Sequence, residues 1–177
     1  MTEKDGDKAS SGSIGIFLCG CKGEISKYID LQSIAEVLSR IPGAKHVGIH
    51  ESLCSREGQE YLKSEMKKNQ FDRVVVGACS PNIQGIIVGR ALSEEGLNKY
   101  LFEQVNIREQ CAWVHPDKAI ATKKALALIN GALHRVLTLS PMEDIPIPIK
   151  PEALVIGGGV AGMQAALYRA RAGFKVP

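Results

Sequence analysis

Aromatic residues are scarce in this chain, 5% of 177, which leaves little from which to build a stacking platform for single-stranded nucleic acid. One-signed charge is lacking as well. Twenty-two basic residues face 19 acidic ones, a net charge of +3, so there is no electrostatic footprint for a polyanion and no nucleic-acid partner is expected. No apolar run approaches the roughly 20 residues a membrane helix needs, so no membrane span is expected. The opening MTEKDGDKASSGS has no apolar core of a signal peptide, and residues 1–13 are expected to form a disordered tail on a cytoplasmic protein. No Gly-x-Ser-x-Gly elbow occurs, which removes the main hydrolase signature. Internal repeats are absent too. The remaining composition, 45% hydrophobic and 23% charged, is that of an ordinary globular protein.

Apolar periodicity divides the chain. Residues 14–18 (IGIFL), 45–50 (KHVGIH), 72–78 (DRVVVGA) and 100–105 (YLFEQV) read as strands, the third being rich in β-branched side chains and suited to a sheet buried on both faces. Between them lie helical patterns. Asp30 caps one with Leu31, Ile34, Leu38 and Ile41 at helical spacing, ended by Pro42-Gly43. Ser55 caps a polar helix over 56–68 with Tyr61, Leu62 and Met66 facing inward. A helical or irregular stretch over 82–95 ends at Gly96. A long helix with Ala119, Leu126, Ile129, Leu133 and Val136 on its inner face begins at Pro116, with Asp117 in its first turn. Strand–helix alternation predicts an α/β fold, a mostly parallel sheet with helices on both faces, over 14–139. Residues 140–151 carry four of the eight prolines and read as an extended linker.

The five cysteines are an odd number for a disulfide framework, and no Cys-x-x-Cys pair suggests a zinc ribbon or a ferredoxin run. Their placement is more telling. Cys19 and Cys21 follow the first strand, Cys54 the second, Cys79 the third and Cys111 the fourth. Parallel strands end on one edge, which is where α/β proteins bind ligands, so thiols far apart in sequence converge there. Four thiolates suit zinc or an iron–sulfur cluster; the competing reading is a set of inert buried thiols in a structural or docking domain. Of the four histidines, His115 lies four residues past Cys111, and a cap or loop role explains it.

Residues 153–176 begin a second unit. An apolar strand, Ala153–Ile156, runs into Gly157-x-Gly159-x-x-Gly162, a helix follows, and Gly173 ends it before a second short strand, Phe174–Val176. In that frame the three glycines give the tight turn, the pyrophosphate approach and the helix–strand packing of a dinucleotide site of the FAD/NAD type, with the helix N-terminus facing the phosphates. The sequence stops at Pro177, before the acidic residue expected after the second strand. Residues 152–177 are therefore expected to be the first βαβ portion of a truncated dinucleotide-binding domain, inactive by itself.

These motifs together resemble the family of the heterodisulfide reductase A subunits. The matching stretches are Val74–Pro81 (VVVGACSP), Glu95–Glu103 (EGLNKYLFE) and Asn106–His115 (NIREQCAWVH), joined in the same order by Leu53-Cys54-Ser55 and the glycine segment. Two stretches depart from the family's usual form: Cys19-Gly20-Cys21-Lys22-Gly23 replaces Cys-His-Cys-Gly, and Asn82-Ile83-Gln84-Gly85 replaces an Arg and a His-Glu pair. The resemblance implies an iron–sulfur flavoprotein and an electron-transfer oxidoreductase whose partners are other subunits of a complex. It implies one [4Fe–4S] cluster held by Cys54, Cys79 and Cys111 with Cys19 or Cys21, and FAD bound through Gly157, Gly159 and Gly162 in the full-length protein. Arg108 and Lys22 lie near the implied ligands, either to stabilise an anionic cluster or as solvated surface charge.

Overall fold

The computed structural model describes residues 12–177, so the tail expected over 1–13 lies largely outside the described residues. Its last two residues are held. Gly12 is buried, and Ser13 donates its N–H to Asp72 Oδ2 at 2.8 Å and its hydroxyl to the Gln70 carbonyl at 3.1 Å. The chain forms two compact units, one ending at Met142 and one spanning Glu143–Pro177.

The first unit is built on a four-stranded parallel sheet of order β2-β1-β3-β4. The strands are β1 (Ile14–Cys19), β2 (Ala44–His50), β3 (Arg73–Ala78) and β4 (Phe102–Asn106). β1 and β3 are central and almost wholly buried, as their continuous apolar runs require. Alternate residues of these strands feed two separate cores. Ile14, Ile16, Leu18, Val75, Val105 and Ile107 pack with α1 (Leu31–Leu38) and α4 (Lys118–Thr138) on one face. Phe17, Val74, Val76 and Ala78 pack with α2 (Arg56–Asn69) and α3 (Ile86–Ser93) on the other. The fold is therefore α/β with helices on both faces, as the alternation of elements predicts. Full burial of a Val, Leu or Ile contributes about 1.5–3 kcal/mol, so these two cores dominate its stability.

Capping signals fix the helix starts. The Asp30 side chain accepts from Ser33 N–H, and Ser55 accepts from Gly58 N–H. At α4 the helix starts two residues later than the sequence predicts, at Lys118 rather than Pro116. Asp117 is the cap, accepting from Ile120 N–H at 2.9 Å, and Pro116 precedes it. A carboxylate that bonds the third N–H of a helix is worth about 1 kcal/mol at the cap, which outweighs the modest dipole benefit of a first-turn position. The inner face of α4 also differs. Ala119 is exposed, Leu126 is half-buried, and Ala121, Ala125 and Ala132 join Ile129, Leu133 and Val136 in the core. Small residues let this helix sit close on the sheet. β4 starts two residues later than expected because a 3₁₀ turn over Lys99–Leu101, capped by Asn98, precedes it. Residues 82–95 divide into a π-helical turn, Pro81–Gly85, and α3. Gly96 has φ +91°, a left-handed conformation that glycine adopts without steric cost.

In the second unit, residues 143–151 are exposed and without regular structure. The two strands expected at 153–156 and 174–176 are reduced to a single parallel bridge, Glu152 to Lys175, around α5 (Val160–Arg171). A lone parallel pair has few bonds with which to hold extended geometry.

Candidate functional site

The C-terminal edge of the parallel sheet collects the loops that carry the thiols. Strand order reverses between β1 and β3, and Cys19 and Cys79 stand at the ends of those two strands. Such a switch point is the usual ligand crevice of an open α/β sheet.

Each loop is tied to its neighbours. After β1 the chain turns back at Cys21 (φ 51°), Lys22 (φ 50°) and Gly23 (φ 95°). Two successive non-glycine residues in the left-handed region cost roughly 1–2 kcal/mol each. The turn is held against the β2 loop by Gly20 N–H to the His50 carbonyl (2.8 Å) and Lys22 N–H to the Glu51 carbonyl (3.0 Å). Cys19 Sγ accepts from Leu53 N–H at 3.5 Å. Cys54 Sγ lies 3.7 Å from Ser52 Oγ, and Ser52 N–H donates to His50 Nδ1 at 3.0 Å. Gln104 Nε2 donates to the Cys79 carbonyl at 2.9 Å.

Arg108 links three loops. Its Nη1 donates to Cys21 Sγ at 3.2 Å and its Nη2 to Glu109 Oε1 at 2.9 Å, while Glu109 Oε2 accepts from Ser80 N–H at 3.1 Å, next to Cys79. The guanidinium lies 4.7 Å from the centre of the Trp113 ring, and Trp113 Nε1 donates to Glu24 at 3.0 Å. Arg108 Nε is buried without a hydrogen-bond partner. An unpartnered donor on a cation beside thiols marks a place that an anion would complete.

The thiols differ in setting. Burial pushes the Cys79 thiol up to about 11, against the pull of Arg108, with charge on Cys21, Glu109 and Cys19 adding to the rise. Burial also raises Cys19, opposed by the N–H groups of Leu53 and Cys21, while charge on Cys21 and Cys54 raises it further. Cys19 thus feels the charge of Cys21 and Cys54, and Cys79 that of Cys19 and Cys21, in this linked set. Cys111 is set apart. It is fully buried in the core beneath α4, with burial raising its thiol and Lys124 as the opposing charge. All five cysteines are free. Among the described residues no group of three Cys, His, Asp or Glu side chains is close enough to hold one ion. The donor set, four thiols beside an incompletely bonded cation, suits a negatively charged thiolate-ligated cluster by its chemistry, and seating one requires the loops to draw together.

Sequence reasoning finds Arg108 by its nearness to Cys111 but not its partners. Glu109, Trp113 and His50 are not visible as members of the site. Ile25 and Ile29, which anchor the loop after Cys21 in the core, carry an i, i+4 apolar spacing that could have revealed them. Lys22 is exposed. His115 N–H bonds the Cys111 carbonyl at 3.2 Å, a loop role.

In the second unit the glycine turn has the conformation the motif demands. Gly157 has φ +113°. A Cβ on Gly162 would lie 1.9 Å from the Gly157 carbonyl oxygen, so only glycine allows the turn to fold onto the helix. Gly159 caps α5 without a side-chain bond, and no acidic residue occupies the first turn. The helix N-terminus is thus open to an anion.

No protein-family model matches the chain. Curated relatives do. It is 40% identical over 154 residues to the A subunit of the ferredoxin:CoB-CoM heterodisulfide reductase of Methanosarcina acetivorans, covering 86% of this chain and 19% of the relative. It is 37% identical over 176 residues to the A subunit of the H(2):CoB-CoM heterodisulfide,ferredoxin reductase of Methanothermobacter marburgensis, covering 99% of this chain and 27% of the relative. It is 37% identical over 170 residues to the iron-sulfur A subunit of the CoB--CoM heterodisulfide reductase of Methanocaldococcus jannaschii, covering 94% and 25%. The chain spans about a fifth to a quarter of the length of these relatives.

Proposed function

We infer, since this chain belongs to the family of heterodisulfide reductase A subunits, that its first unit is an electron-transfer module seating one [4Fe–4S] cluster, and that its second unit contributes the phosphate-binding turn of an FAD site. The observation that carries the reading is the bond from Arg108 to Cys21, on a guanidinium whose Nε has no partner, at the sheet edge where four thiols gather. A bound cluster supplies one-electron transfer at a potential set by charge, burial and hydrogen bonds to sulfur. The ligands proposed are Cys54, Cys79 and Cys111, with Cys21 preferred over Cys19 as the fourth.

The chain's own groups have definable tasks in this reading. Cys21 is half-exposed on a strained turn, whereas Cys19 is buried against Leu53. Arg108 offsets anionic charge and holds the Cys21 turn. Glu109 orients Arg108 and fixes the residue after Cys79. The π-helical turn Arg108–Ala112 carries Cys111; rewinding it is the motion that brings that thiol toward the others, and single π turns are frequent at functional sites. Gly157, Gly159 and Gly162 shape the second unit's turn for a pyrophosphate. The partners proposed are other subunits of an oxidoreductase complex, as in the relatives' names.

The test is composition. Chain purified without oxygen, or reconstituted with iron and sulfide, is expected to be brown and to hold about four iron and four sulfide per molecule. Colourless protein carrying zinc would assign a structural metal site instead. Colourless, metal-free protein after reconstitution would leave a docking domain with reduced thiols.

A further inference from the structure

A row of polar rings joins α2 to β2 beside the thiol site. His46, Gly48 and His50 are alternate residues of β2 and face the α2 side of the sheet. Tyr61 of α2 lies along that row. Its ring stacks on the His50 ring, with centroids 5.3 Å apart and planes at 19°. Its hydroxyl lies 3.2 Å from His46 Nε2, and His46 Nδ1 lies 3.5 Å from Glu65 Oε2. Gly48 makes room for the phenol. A Cβ there would stand 2.0 Å from Tyr61 Oη and 2.7 Å from His46 Nε2. Tyr61 is therefore held at both ends, and it fixes the plane of His50.

The other edge of His50 serves the loop after β2. Ser52 N–H donates to His50 Nδ1 at 3.0 Å. That nitrogen therefore carries no hydrogen, and the ring proton is on Nε2. Ser52 is 8% exposed, and a buried N–H requires a partner. The next two residues belong to the thiols. Leu53 N–H donates to Cys19 Sγ at 3.5 Å, and Cys54 follows, its carbonyl accepting from Gln59 Nε2 at 3.1 Å. Without the His50 acceptor the start of this segment is released, while Gln59 still holds its end.

We propose that His50 is a positioning residue for two thiols of the sheet edge. Clamped by Tyr61, it fixes Ser52, and through the backbone it aims Leu53 N–H at Cys19 and presents Cys54. The role rests on the reading of this edge as a cluster seat. A ligand ordered in advance lowers the ordering cost of binding, so iron uptake is faster with His50 in place.

Two substitutions separate the acceptor from the ring. His50→Phe keeps a ring against Tyr61 and has no acceptor. His50→Asn has no ring, but its carboxamide oxygen accepts the N–H two residues on. In the whole metal-free chain, His50→Phe is expected to speed amide exchange at Ser52 at least about tenfold, with the β1 amides unchanged. The rate at which iodoacetamide alkylates Cys54 is expected to change at least about fivefold in the same variant. On reconstitution with iron and sulfide its iron uptake is expected to slow at least about fivefold. His50→Asn is expected to return all three rates to within about twofold of the parent. In the parent, imidazole nitrogen resonances are expected to show Nδ1 bare and Nε2 protonated. Parental Ser52 exchange in His50→Phe overturns the proposal. Failure of His50→Asn to restore that exchange overturns it too, since the ring and not the acceptor would then matter. If the parent itself takes up no iron, the cluster reading fails alone, and Ser52 exchange with Cys54 alkylation still decides the role of His50.

Discussion

Arg108 Nη1 and Cys21 Sγ meet at 3.2 Å across 87 residues of sequence. The contact joins the loop after β4 to the left-handed turn after β1, and the same guanidinium engages Glu109 and the Trp113 ring. Arg108→Ala removes all three contacts and leaves Glu109, three-quarters buried, without its cation. A charge-assisted hydrogen bond is worth about 1.5–3 kcal/mol, and a loss of that order is expected in denaturant unfolding. Arg108→Lys is expected to recover less than half of it, because a point-charge ammonium cannot serve sulfur, carboxylate and ring together. A lysine variant as stable as the parent would show that charge alone matters there.

The buried thiols make a prediction about alkali. Burial holds Cys79 at about 11, against an ordinary value of 9.0, and raises Cys19 and Cys111 as well. From pH 9 upward the unfolded chain loses these protons before the folded chain does. Stability from this source is therefore complete below pH 9 and is lost as pH rises through about 11. The metal-free protein is expected to show a falling melting temperature between about pH 9 and 11, and Cys79→Ala to flatten that slope. An unchanged slope would mean that the Cys79 thiol is not held protonated by burial.

Much of the sheet edge was legible because strands and caps leave local marks. The Val74–Val76 run, the Asp30 and Ser55 caps and the glycine turn at 157–162 depend on a few neighbouring residues each, and the structure contains them where the pattern puts them. The convergence of loops followed from topology alone, since parallel strands can end nowhere else. What stayed hidden was set by contacts distant in sequence. The separate environment of Cys111 depends on α4, whose close seat relies on Ala121 and Ala125, residues a hydropathy pattern weights lightly. The roles of Glu109, through Ser80 N–H, and of Trp113, through Glu24, exist only once three loops have met.

Gly58 offers a test of how far the Cys54 loop depends on packing. It lies in the first turn of α2, and a Cβ there would stand 2.0 Å from the Ser52 carbonyl oxygen and 2.6 Å from Leu53 Cα. Both obstacles are backbone, so they yield only if the loop moves. Gly58→Ala is expected to destabilise the chain by about 1–3 kcal/mol, the usual cost of overpacking, despite alanine's better helix propensity. Displacement of Ser52–Cys54 is expected to lower iron bound on reconstitution by at least half. A variant with parental iron content would show that the Cys54 loop rearranges on loading regardless of its resting position.

The five cysteines themselves divide by experiment. Iron bound per chain after reconstitution is the measurement. Cys54→Ala and Cys79→Ala are each expected to abolish the full complement, since no spare thiol stands at either strand end. Cys21→Ala is expected to cost more iron than Cys19→Ala, because Cys21 is half-exposed and faces Arg108, whereas the Cys19 sulfur is committed to Leu53 N–H in the core. Cys111 is the decisive position. Its thiol is fully buried, and alanine there removes one sulfur at small structural cost. Loss of the cluster in a Cys111→Ala chain that melts near the parental temperature would mean that the Arg108–Ala112 turn rewinds to deliver this sulfur. Full iron retention in the same variant would instead assign the ligands to Cys19, Cys21, Cys54 and Cys79, the four thiols of the linked loops.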